Sequence, residues 1–584
     1  MTAIVAIGAV TPLGTGEAGW SNGAIGAAAP AAIVRDEQLA TAGLRKPFAA
    51  RALHASRADD DDRATSLLLR ALAQLEGVLP KNARIGISLG TSSGGMQSAE
   101  KLFDVHARGG TIDRALADAA TYHGPHRALV ARLRALGHDI AREAHVLTAC
   151  SASTIALGLA RRWLDAGEVD VAIAGGYDAL TTFVAAGFEA LGATTAHPPP
   201  RPFRLGRDGM SLGEGAALFV LRRDADGEGA LASLRGFGAA GDAVHLTAPD
   251  REGAGLGRAA LAALDDAGVD AATIDLVSVH GTSTPFNDPM EAKAIARALS
   301  DQARHVAVHA AKASVGHTLG AAGAIETALV VDALRRGVLP ATAGEGEWDP
   351  QASTGARERN EAGVVRGALK LSAAFGGANA ALVVTPVSSD AARLRDERER
   401  KEARAPRVIA AVDVAADPIE LAALATLTSI ARDRLARMDG VCRLALRALA
   451  TLSLSVDGGR DRLRGAGIVL GTSLATIDVN AVYAAGMRQK GAAHAEARRF
   501  AYTTPNAAAG ECSMAFGLTG PNVAVGRGAD AGVEAMEIAR DLIAAKTGKR
   551  MVVIDVDAPG PMAELLATTL GWNVRFGARA TLLE

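Results

Sequence analysis

The sequence is poor in cysteine and in aromatic residues. Only three of its 584 residues are cysteines, too few and too scattered for a disulfide framework or a zinc site. Scarce cysteine fits the reducing cytoplasm, and we expect no metal. Aromatic residues make up 3% of the chain while hydrophobic residues make up 49%, so a large core must be built mostly from aliphatic side chains.

The chain also lacks an excess of charge and a long apolar run. Its 62 basic and 64 acidic residues leave a net charge of −2, which does not favour nucleic acid as a partner. No run of about 20 apolar residues is free of charge, so we expect no membrane span. The apolar start breaks at Pro12 and Gly14 and has no basic leader, which predicts a first strand rather than a signal peptide.

Short apolar runs alternate with amphipathic stretches along the chain. The segments IVAIGAV, ARIGISLG, VDVAIAGG and IDLVSVHG are predicted strands, and ATSLLLRALAQLEGVL and ASTIALGLARRWLDAG are predicted helices. This alternation predicts an α/β fold with covered sheets. Residues 388–406 are densely charged and have no apolar face, so we predict a linker between a first part, 1–387, and a second, 407–584.

The second part repeats the pattern of the first. RALA at Arg70–Ala73 recurs at Arg447–Ala450, IGISLGTS recurs as GIVLGTS, and TACSAS aligns with GADAG, which places Ala529 opposite Cys150. Three matches in one order at a nearly constant offset predict that 407–584 is a diverged copy of the N-terminal half. The copy has no counterpart of the histidine motifs described next.

Cys150, His280 and His317 form the strongest candidate site. A thiolate can accept an acyl group and release it again, and imidazoles can donate hydrogen bonds to oxygens that gain negative charge. A lone buried cysteine is usually a small hydrophobic residue and a lone histidine is usually structural. Cys150, however, stands between a predicted strand and a helix, whose N-terminus should lower the thiol pKa, and His280 ends a strand, where α/β sites are built.

Five motifs carry a family resemblance. TACSAS, RPFRLGRDGMSLGEGAALFVL, HGTSTPFND, KASVGHTLGAAGAIE and FGGANAALVV resemble, in this order, the β-ketoacyl-acyl-carrier-protein synthases of the thiolase-like superfamily. The resemblance covers roughly Met1 to Val387. It implies a thiolase-like five-layered αβαβα fold, followed by a partial thiolase-like domain in which Ala529 replaces the nucleophile.

The resemblance also implies roles for individual residues. Cys150 would be the acylated nucleophile, and His280 and His317 would assist decarboxylation of a malonyl thioester. Lys312 and Glu326, which alone would suggest an ordinary surface pair, would be the supporting charged pair near His317. The backbone N–H groups of Cys150 and Phe375 would form an oxyanion hole, with Phe375 also a gate. The implied substrate-binding residues are Thr282, Thr284, Met210, Gly376 and Gly377.

Three departures from the family pattern concern the gate, the pocket and the segment before the nucleophile. The segment Leu371–Gly377 has alanine at two positions of the usual Asn-Ser-Phe-Gly-Phe-Gly-Gly loop, and Met210 stands where a phenylalanine is common. The usual Pro-Asn and Gly-Leu-x-Gly-Pro elements are missing before Cys150. They occur instead in the C-terminal copy, within TTPNAAAGECSMAFGLTGPNVAV.

The leading hypothesis is a decarboxylative Claisen condensation between an acyl group on Cys150 and malonyl-acyl carrier protein, in fatty acid or polyketide/polyene biosynthesis. The alternatives are a ketosynthase-fold acyltransferase without decarboxylation and a non-catalytic scaffold of a carrier-protein assembly line. We expect no tightly bound cofactor, since phosphopantetheine would arrive on the acyl carrier protein. A homodimer or a related partner subunit is expected, with 407–584 as a built-in partial partner.

Overall fold

The computed structural model describes residues 1–21, 32–52, 62–223, 229–352, 355–387, 406–418 and 420–584. The predicted linker, 388–406, therefore lies outside the described residues except for its last position. Among the helices of the described parts, none is both long enough and apolar enough to cross a membrane.

Residues up to 387 form the larger unit. Its strands are β1 (Thr2–Thr11), β2 (Gly14–Thr15), β3 (Val34–Arg35), β4 (Phe48–Ala50), β5 (Arg84–Gly90), β6 (Asp139–Val146), β7 (Val171–Asp178), β8 (Leu212–Gly213), β9 (Gly215–Arg223), β10 (Ala232–Gly241), β11 (Leu276–Ser278), β12 (Ala307–His309), β13 (Val338–Leu339), β14 (Glu361–Ala362), β15 (Ala368–Ala374) and β16 (Ala378–Thr385). Its helices are α1 (Glu37–Thr41), α2 (Arg63–Ala73), α3 (Met96–Ala107), α4 (Arg114–Ala119), α5 (Gly124–Ala135), α6 (Ala152–Ala166), α7 (Thr182–Ala190), α8 (Ala254–Ala267), α9 (Asn287–Leu299), α10 (Lys312–Val315) and α11 (Ala322–Arg336).

Residues from 406 onward form the smaller unit, which we call the C-terminal copy. Its strands are β17 (Val408–Ala415), β18 (Gly467–Gly471), β19 (Asn522–Val525), β20 (Met551–Asp557) and β21 (Gly577–Leu583). Its helices are α12 (Leu421–Thr428), α13 (Arg432–Arg437), α14 (Gly440–Leu454), α15 (Gly459–Leu463), α16 (Ile477–Lys490), α17 (Ala497–Phe500), α18 (Ala507–Phe516), α19 (Ala531–Ala544) and α20 (Pro561–Leu570).

The larger unit has five layers. Its strands follow the order β12-β11-β15-β16-β10-β1-β9-β7-β5-β6. Helices α6 and α11 contact strands from both halves of this path and lie between them, while α2 with α5 and α8 with α9 cover the two outer faces. The alternation of strands and helices seen in the sequence is confirmed, and the architecture is the thiolase-like αβαβα arrangement.

Helix α6 is the centre of this arrangement and carries the cysteine at its start. Its apolar side chains are buried on nearly all sides because it has a sheet on each face. A Cβ atom at Gly90 would lie 2.3 Å from the backbone of Ala152, and one at Gly323 would lie 2.1 Å from Thr154 Oγ1. Glycine therefore lets β5 and α11 approach the first turn of α6 closely.

The C-terminal copy has three layers and mirrors the first half of the larger unit. Its strand order, β19-β18-β20-β21-β17, repeats β6-β5-β7-β9-β1, with α14 on one face and α19 on the other. A buried aspartate shows the same repeat: Asp178 accepts hydrogen bonds from Thr91 Oγ1 and Ser92 N, both 2.8 Å. In the copy, Asp557 accepts one from Thr472 Oγ1 at 2.9 Å.

The two units meet where their sheets run together. Strand β6 pairs antiparallel with β19 at Val146 and Val525, and Leu147 N donates to Ala524 O at 2.7 Å. The opposite end of the path is β17, whose Val408 is 53% exposed. In the larger unit the corresponding strand, β1, is covered on that side by β10. The copy thus extends the sheet of the larger unit, and its described residues form no counterpart of that unit's last two layers.

Candidate active site

Cys150 lies at the N-terminal end of α6, in a tight turn between β6 and that helix. The turn spans Ala149–Ser151, and Ala149 has φ of 43°. Cys150 is 6% exposed. In the C-terminal copy the turn Gly528–Asp530 precedes α19 in the same way, so Ala529 occupies the position of Cys150 and offers no nucleophile.

His317 contacts the thiol directly. Its Nε2 lies 3.1 Å from Cys150 Sγ, and its Nδ1 accepts a hydrogen bond from Leu319 N at 3.2 Å. A neutral imidazole carries one proton, and an Nδ1 that accepts leaves the proton on Nε2. We infer this tautomer from the hydrogen bonds. His317 therefore presents an N–H donor to the thiol and to any substrate oxygen beside it.

His280 forms the second wall of the site. It follows β11, and its ring lies 5.2 Å from that of His317, at 86°. Lys312 Nζ lies 3.3 Å from His280 Nδ1 and donates to the His280 carbonyl oxygen at 2.6 Å. Because an ammonium can only donate, His280 also carries its proton on Nε2.

A buried group of three charges holds Lys312 in place. Glu326 lies 2.5 Å from Lys312 Nζ through Oε1 and 2.7 Å from Lys370 Nζ through Oε2. All three side chains are at most 2% exposed. The predicted Lys312–Glu326 pair is present. Lys312 hydrogen-bonds His280 as well as Glu326, and its charge also lowers the pKa of His317, so the supporting role of the pair stays a prediction.

Burial favours the neutral forms of the Cys150 thiol and of the His280 and His317 imidazoles. Burial raises the pKa of the Cys150 thiol to about 12, although the positive charge of Lys312 opposes the rise. The expectation that the helix N-terminus lowers this pKa is therefore wrong, because loss of solvation outweighs the helix dipole. Burial, followed by the charge of Lys312, holds the pKa values of His280 and His317 well below their usual range.

A cavity of about 370 Å³ leads to the thiol. Its walls include Thr282, Thr284, Met210, Phe375 and both histidines. The hydroxyls of Thr282 and Thr284 are 3.0 Å apart. These predicted substrate-binding residues thus come together around one passage.

A second cavity, of about 30 Å³, lies on the other side of Cys150. Phe375 and Phe188 stand between the two cavities, with ring centroids 5.6 Å apart. Phe500, which belongs to the C-terminal copy, closes the small cavity against Phe188, with ring centroids 5.3 Å apart.

Gly376 and Gly377 lie behind Phe375 rather than on a wall of either cavity. Their φ angles are 78° and 68°, a region that favours glycine. Gly376 N donates to Leu246 O at 2.7 Å, and Asp242 N donates to Gly377 O at 2.8 Å. The structure gives them a place in the loop that carries Phe375, and their predicted substrate contact stays a prediction.

The cluster also has the spacing of a possible metal site. One ligand atom each from Cys150, His280 and His317 lie within 4.8 Å of one another. Both imidazoles, however, hold their protons on Nε2, and the Lys312 ammonium adds positive charge beside His280. The donor set suits a developing negative oxygen better than a cation.

Sequence reasoning missed several buried polar residues around the site. Glu291 accepts hydrogen bonds from His280 N and Gly281 N, both at 2.6 Å, and burial raises its pKa to about 7. Lys370 completes the charged group described above. A single lysine within the apolar strand ALKLSAA is a detectable signal, because lysine is almost never fully buried without a partner. For Glu291 the sequence offers no comparable signal.

Comparison with known proteins agrees with this geometry. The family model described as "Beta-ketoacyl synthase, N-terminal domain" matches residues 49–227 and again 385–566, and "Beta-ketoacyl synthase, C-terminal domain" matches 231–345. The repeated match confirms the internal copy. It also confirms that only one C-terminal half, which carries both histidines, is recognised.

Curated relatives resemble the chain over part of their length. A "3-oxoacyl-[acyl-carrier-protein] synthase 2" of Coxiella burnetii is 36% identical over 44% of this chain and 64% of its own length. One of Staphylococcus aureus is 34% identical over 51% of this chain and 76% of its own.

Solved structures show the same fold. "The ishigamide ketosynthase/chain length factor" is 28% identical, with a TM-score of 0.59, over 66% of this chain and 99% of that one. A "PfaC Keto synthase-Chain length factor" covers 100% of this chain and 78% of its own at a TM-score of 0.74; its identity of 17% shows the fold alone. The family models match well over half of the residues, and the chain belongs to the β-ketoacyl synthase family.

Proposed function

We propose that this protein catalyses decarboxylative condensation of an acyl group on Cys150 with a malonyl thioester, in fatty acid or polyketide biosynthesis. The observation that carries the proposal is the Cys150–His317–His280 cluster, in which a thiol meets two neutral N–H donors at the end of a cavity. We also propose roles for the supporting residues: Lys312 and Glu326 hold His280, and the backbone N–H groups of Cys150 and Phe375 form an oxyanion hole.

In the first half-reaction the acyl group moves to the enzyme. The sulfur of Cys150 bonds to the acyl carbon, the bond from that carbon to the donor's sulfur breaks, and the thiol proton leaves with the donor thiol. Because burial raises the thiol pKa to about 12, deprotonation must accompany attack. His317 already bears its proton on Nε2 and is therefore a donor in this step, not the base.

In the second half-reaction carbon dioxide departs from the malonyl group. The electron pair of the broken carbon–carbon bond forms an enolate, whose oxygen accepts hydrogen bonds from the Nε2–H groups of His280 and His317. The enolate carbon then bonds to the acyl carbon on Cys150, and the Cys150 thiolate leaves and takes up a proton. Decarboxylation generates the carbanion, so no strong base is needed.

We propose an acyl carrier protein as the donor of both thioesters. The matched relatives are named for acyl-carrier-protein substrates, and the cavity of about 370 Å³ gives a carrier's phosphopantetheine arm a route to Cys150 past Thr282 and Thr284. The arm enters as part of a substrate, so no resident cofactor is proposed.

The test is release of carbon dioxide from malonyl carrier protein, measured beside intact-protein mass spectrometry after incubation with acyl carrier thioesters. We expect acyl attachment to Cys150 and carbon dioxide release in step with product. Acyl transfer without carbon dioxide would instead indicate an acyltransferase. No acylation of Cys150 would indicate a scaffold.

We further propose that the chain divides into a catalytic unit (1–387), a linker (388–406) and a silent half-partner (407–584) that contributes to the acyl site in cis. Support comes from the β6–β19 pairing and from Phe500, which closes the small cavity beside Cys150. The structures that match include a ketosynthase in complex with its chain length factor.

Phe500→Ala should therefore broaden the acyl groups accepted by Cys150. Removal of the ring enlarges a cavity of about 30 Å³, and each extra methylene accommodated is worth roughly 10-fold or more in discrimination. We expect the acylation rate for an eight-carbon donor, relative to acetyl, to rise by about 10-fold or more. Phe516→Ala is the matched control, because Phe516 is also buried in the copy but does not line the cavity. Equal ratios in both variants would contradict the assignment.

A further inference from the structure

The loop that carries Phe375 connects β15 to β16, and the C-terminal copy holds it from one side. Asn506 lies at the start of α18 and is fully buried. Its Nδ2 donates to the Phe375 carbonyl oxygen at 2.6 Å. From this contact we propose that Asn506 is a positioning residue, through which the C-terminal copy fixes the Phe375 loop in the reactive arrangement. The inference rests on the proposed function and extends it.

Asn506 does not do what its position in the helix would suggest. Asparagine is among the best N-cap residues, because its side-chain oxygen accepts hydrogen bonds from the first backbone N–H groups of a helix. Asn506 is the N-cap residue of α18, yet its side chain makes no capping hydrogen bond. Within the described residues its Oδ1 has no partner. The Asn506 side-chain amide thus donates to the Phe375 carbonyl oxygen instead of capping its own helix.

A second residue of the C-terminal copy, Asn522, also binds the Phe375 loop. Asn522 Nδ2 donates to the Gly376 carbonyl oxygen at 3.2 Å, so two consecutive carbonyls of the loop are bound by the copy. A Cβ atom at Gly510 would lie 2.7 Å from Gly376 Cα, which shows how closely α18 approaches. Within the larger unit, Gly376 N donates to Leu246 O at 2.7 Å.

The Phe375 loop needs contacts from outside to fix its conformation, because its two glycines give its backbone many accessible conformations. Gly376 and Gly377 both have positive φ, and glycine loses more conformational freedom on ordering than any other residue. Phe375 forms part of the wall of both cavities. A change in the Phe375–Gly376 peptide would therefore move the ring between the cavities and displace the neighbouring N–H proposed for the oxyanion hole.

Loss of the Asn506 hydrogen bond should slow condensation much more than malonyl decarboxylation. Loss of the Asn506 hydrogen bond should lower kcat for condensation by roughly 10- to 100-fold, because one oxyanion donor is worth about 100- to 1,000-fold and the loop would be misplaced for only part of the time. Malonyl decarboxylation depends on the imidazoles and should change less than about 3-fold. A merely structural defect would lower both together.

The experiment compares Asn506→Leu, which keeps the number and branching of the side-chain heavy atoms but cannot donate, and Asn506→Ala with wild type. Asp541→Ala is the control. It also removes hydrogen bonds from the copy to the larger unit, at Arg142 and Trp163, but does not touch the loop. Measured quantities are condensation kcat and KM, decarboxylation rate, and hydrogen–deuterium exchange of the peptide covering 371–377.

We expect both Asn506 variants to show faster exchange in that peptide and a selective fall in kcat, with neither change in Asp541→Ala. Unchanged exchange and kcat, or a parallel fall in every rate in all three variants, would overturn the inference. If wild type released no carbon dioxide, the proposed function would fail on its own, and the exchange measurement would still decide whether Asn506 holds the loop.

Discussion

Cys150→Ala should reduce condensation by about 10⁴-fold or more, the scale on which enzymes lose activity with their nucleophile. The variant has no sulfur to carry the acyl group. The C-terminal copy cannot substitute, because Ala529 stands at the equivalent turn. Decarboxylation of malonyl carrier protein should persist, since His280 and His317 remain and that step forms no bond to sulfur.

The measurement is product formation by mass spectrometry, with intact-protein mass to detect the acyl adduct. Cys442→Ala is the matched control: Cys442 is buried in the core of the C-terminal copy, so its removal should leave acylation intact. Condensation by the Cys150→Ala variant at the wild-type rate would contradict the assignment of Cys150 as the nucleophile.

Glu326→Gln should cost about 3–5 kcal/mol of unfolding free energy, the range for breaking a buried ion pair by removing one partner. Glu326 lies between Lys312 and Lys370, and all three are buried. The amide keeps the shape but leaves two ammonium groups without a counter-charge. Condensation should fall too, because Lys312 would no longer be held against His280.

The loss of unfolding free energy in Glu326→Gln should depend on pH. Burial already lowers the pKa of Lys370, against the effect of Glu326, and removal of the carboxylate lowers it further. A lysine that is less basic in the folded than in the unfolded state loses stability as pH falls below its unfolded value. Destabilisation of Glu326→Gln should therefore shrink as pH rises.

Thermal unfolding as a function of pH checks this expectation. The double variant Glu326→Gln, Lys370→Met should recover part of the stability, since one uncompensated charge is removed while Lys312 remains. A single variant as stable as wild type at neutral pH, or a double variant less stable than the single, would show that the three charges do not act as one group.

Local sequence patterns predicted the parts of the fold that depend on neighbouring residues. The predicted strands IVAIGAV and VDVAIAGG lie within β1 and at β7, and ASTIALGLARRWLDAG forms α6. The periodicity of apolar residues determines such elements directly. The repeat was visible for the same reason: β5 and β18 share much of their sequence, and the turns at Cys150 and Ala529 follow them in the same order.

Contacts between distant segments could not be predicted in this way. Lys370 is 58 residues from Lys312 and reaches it only through Glu326, and Asn506 is 131 residues from Phe375. The thiol pKa was mispredicted for a related reason. The helix N-terminus is evident from the sequence, whereas the burial that opposes it depends on packing of α11 and of the C-terminal copy around Cys150.

The β6–β19 junction has a consequence for how the site behaves on dilution. Where a partner is a separate chain, the contacts it supplies vanish as concentration falls below the dissociation constant. Here Phe500 and Asn506 are joined to Cys150 by one polypeptide, so their encounter is intramolecular and its effective concentration is set by the chain rather than by the amount of protein. The acyl pocket and the Phe375 loop should therefore stay assembled at any enzyme concentration.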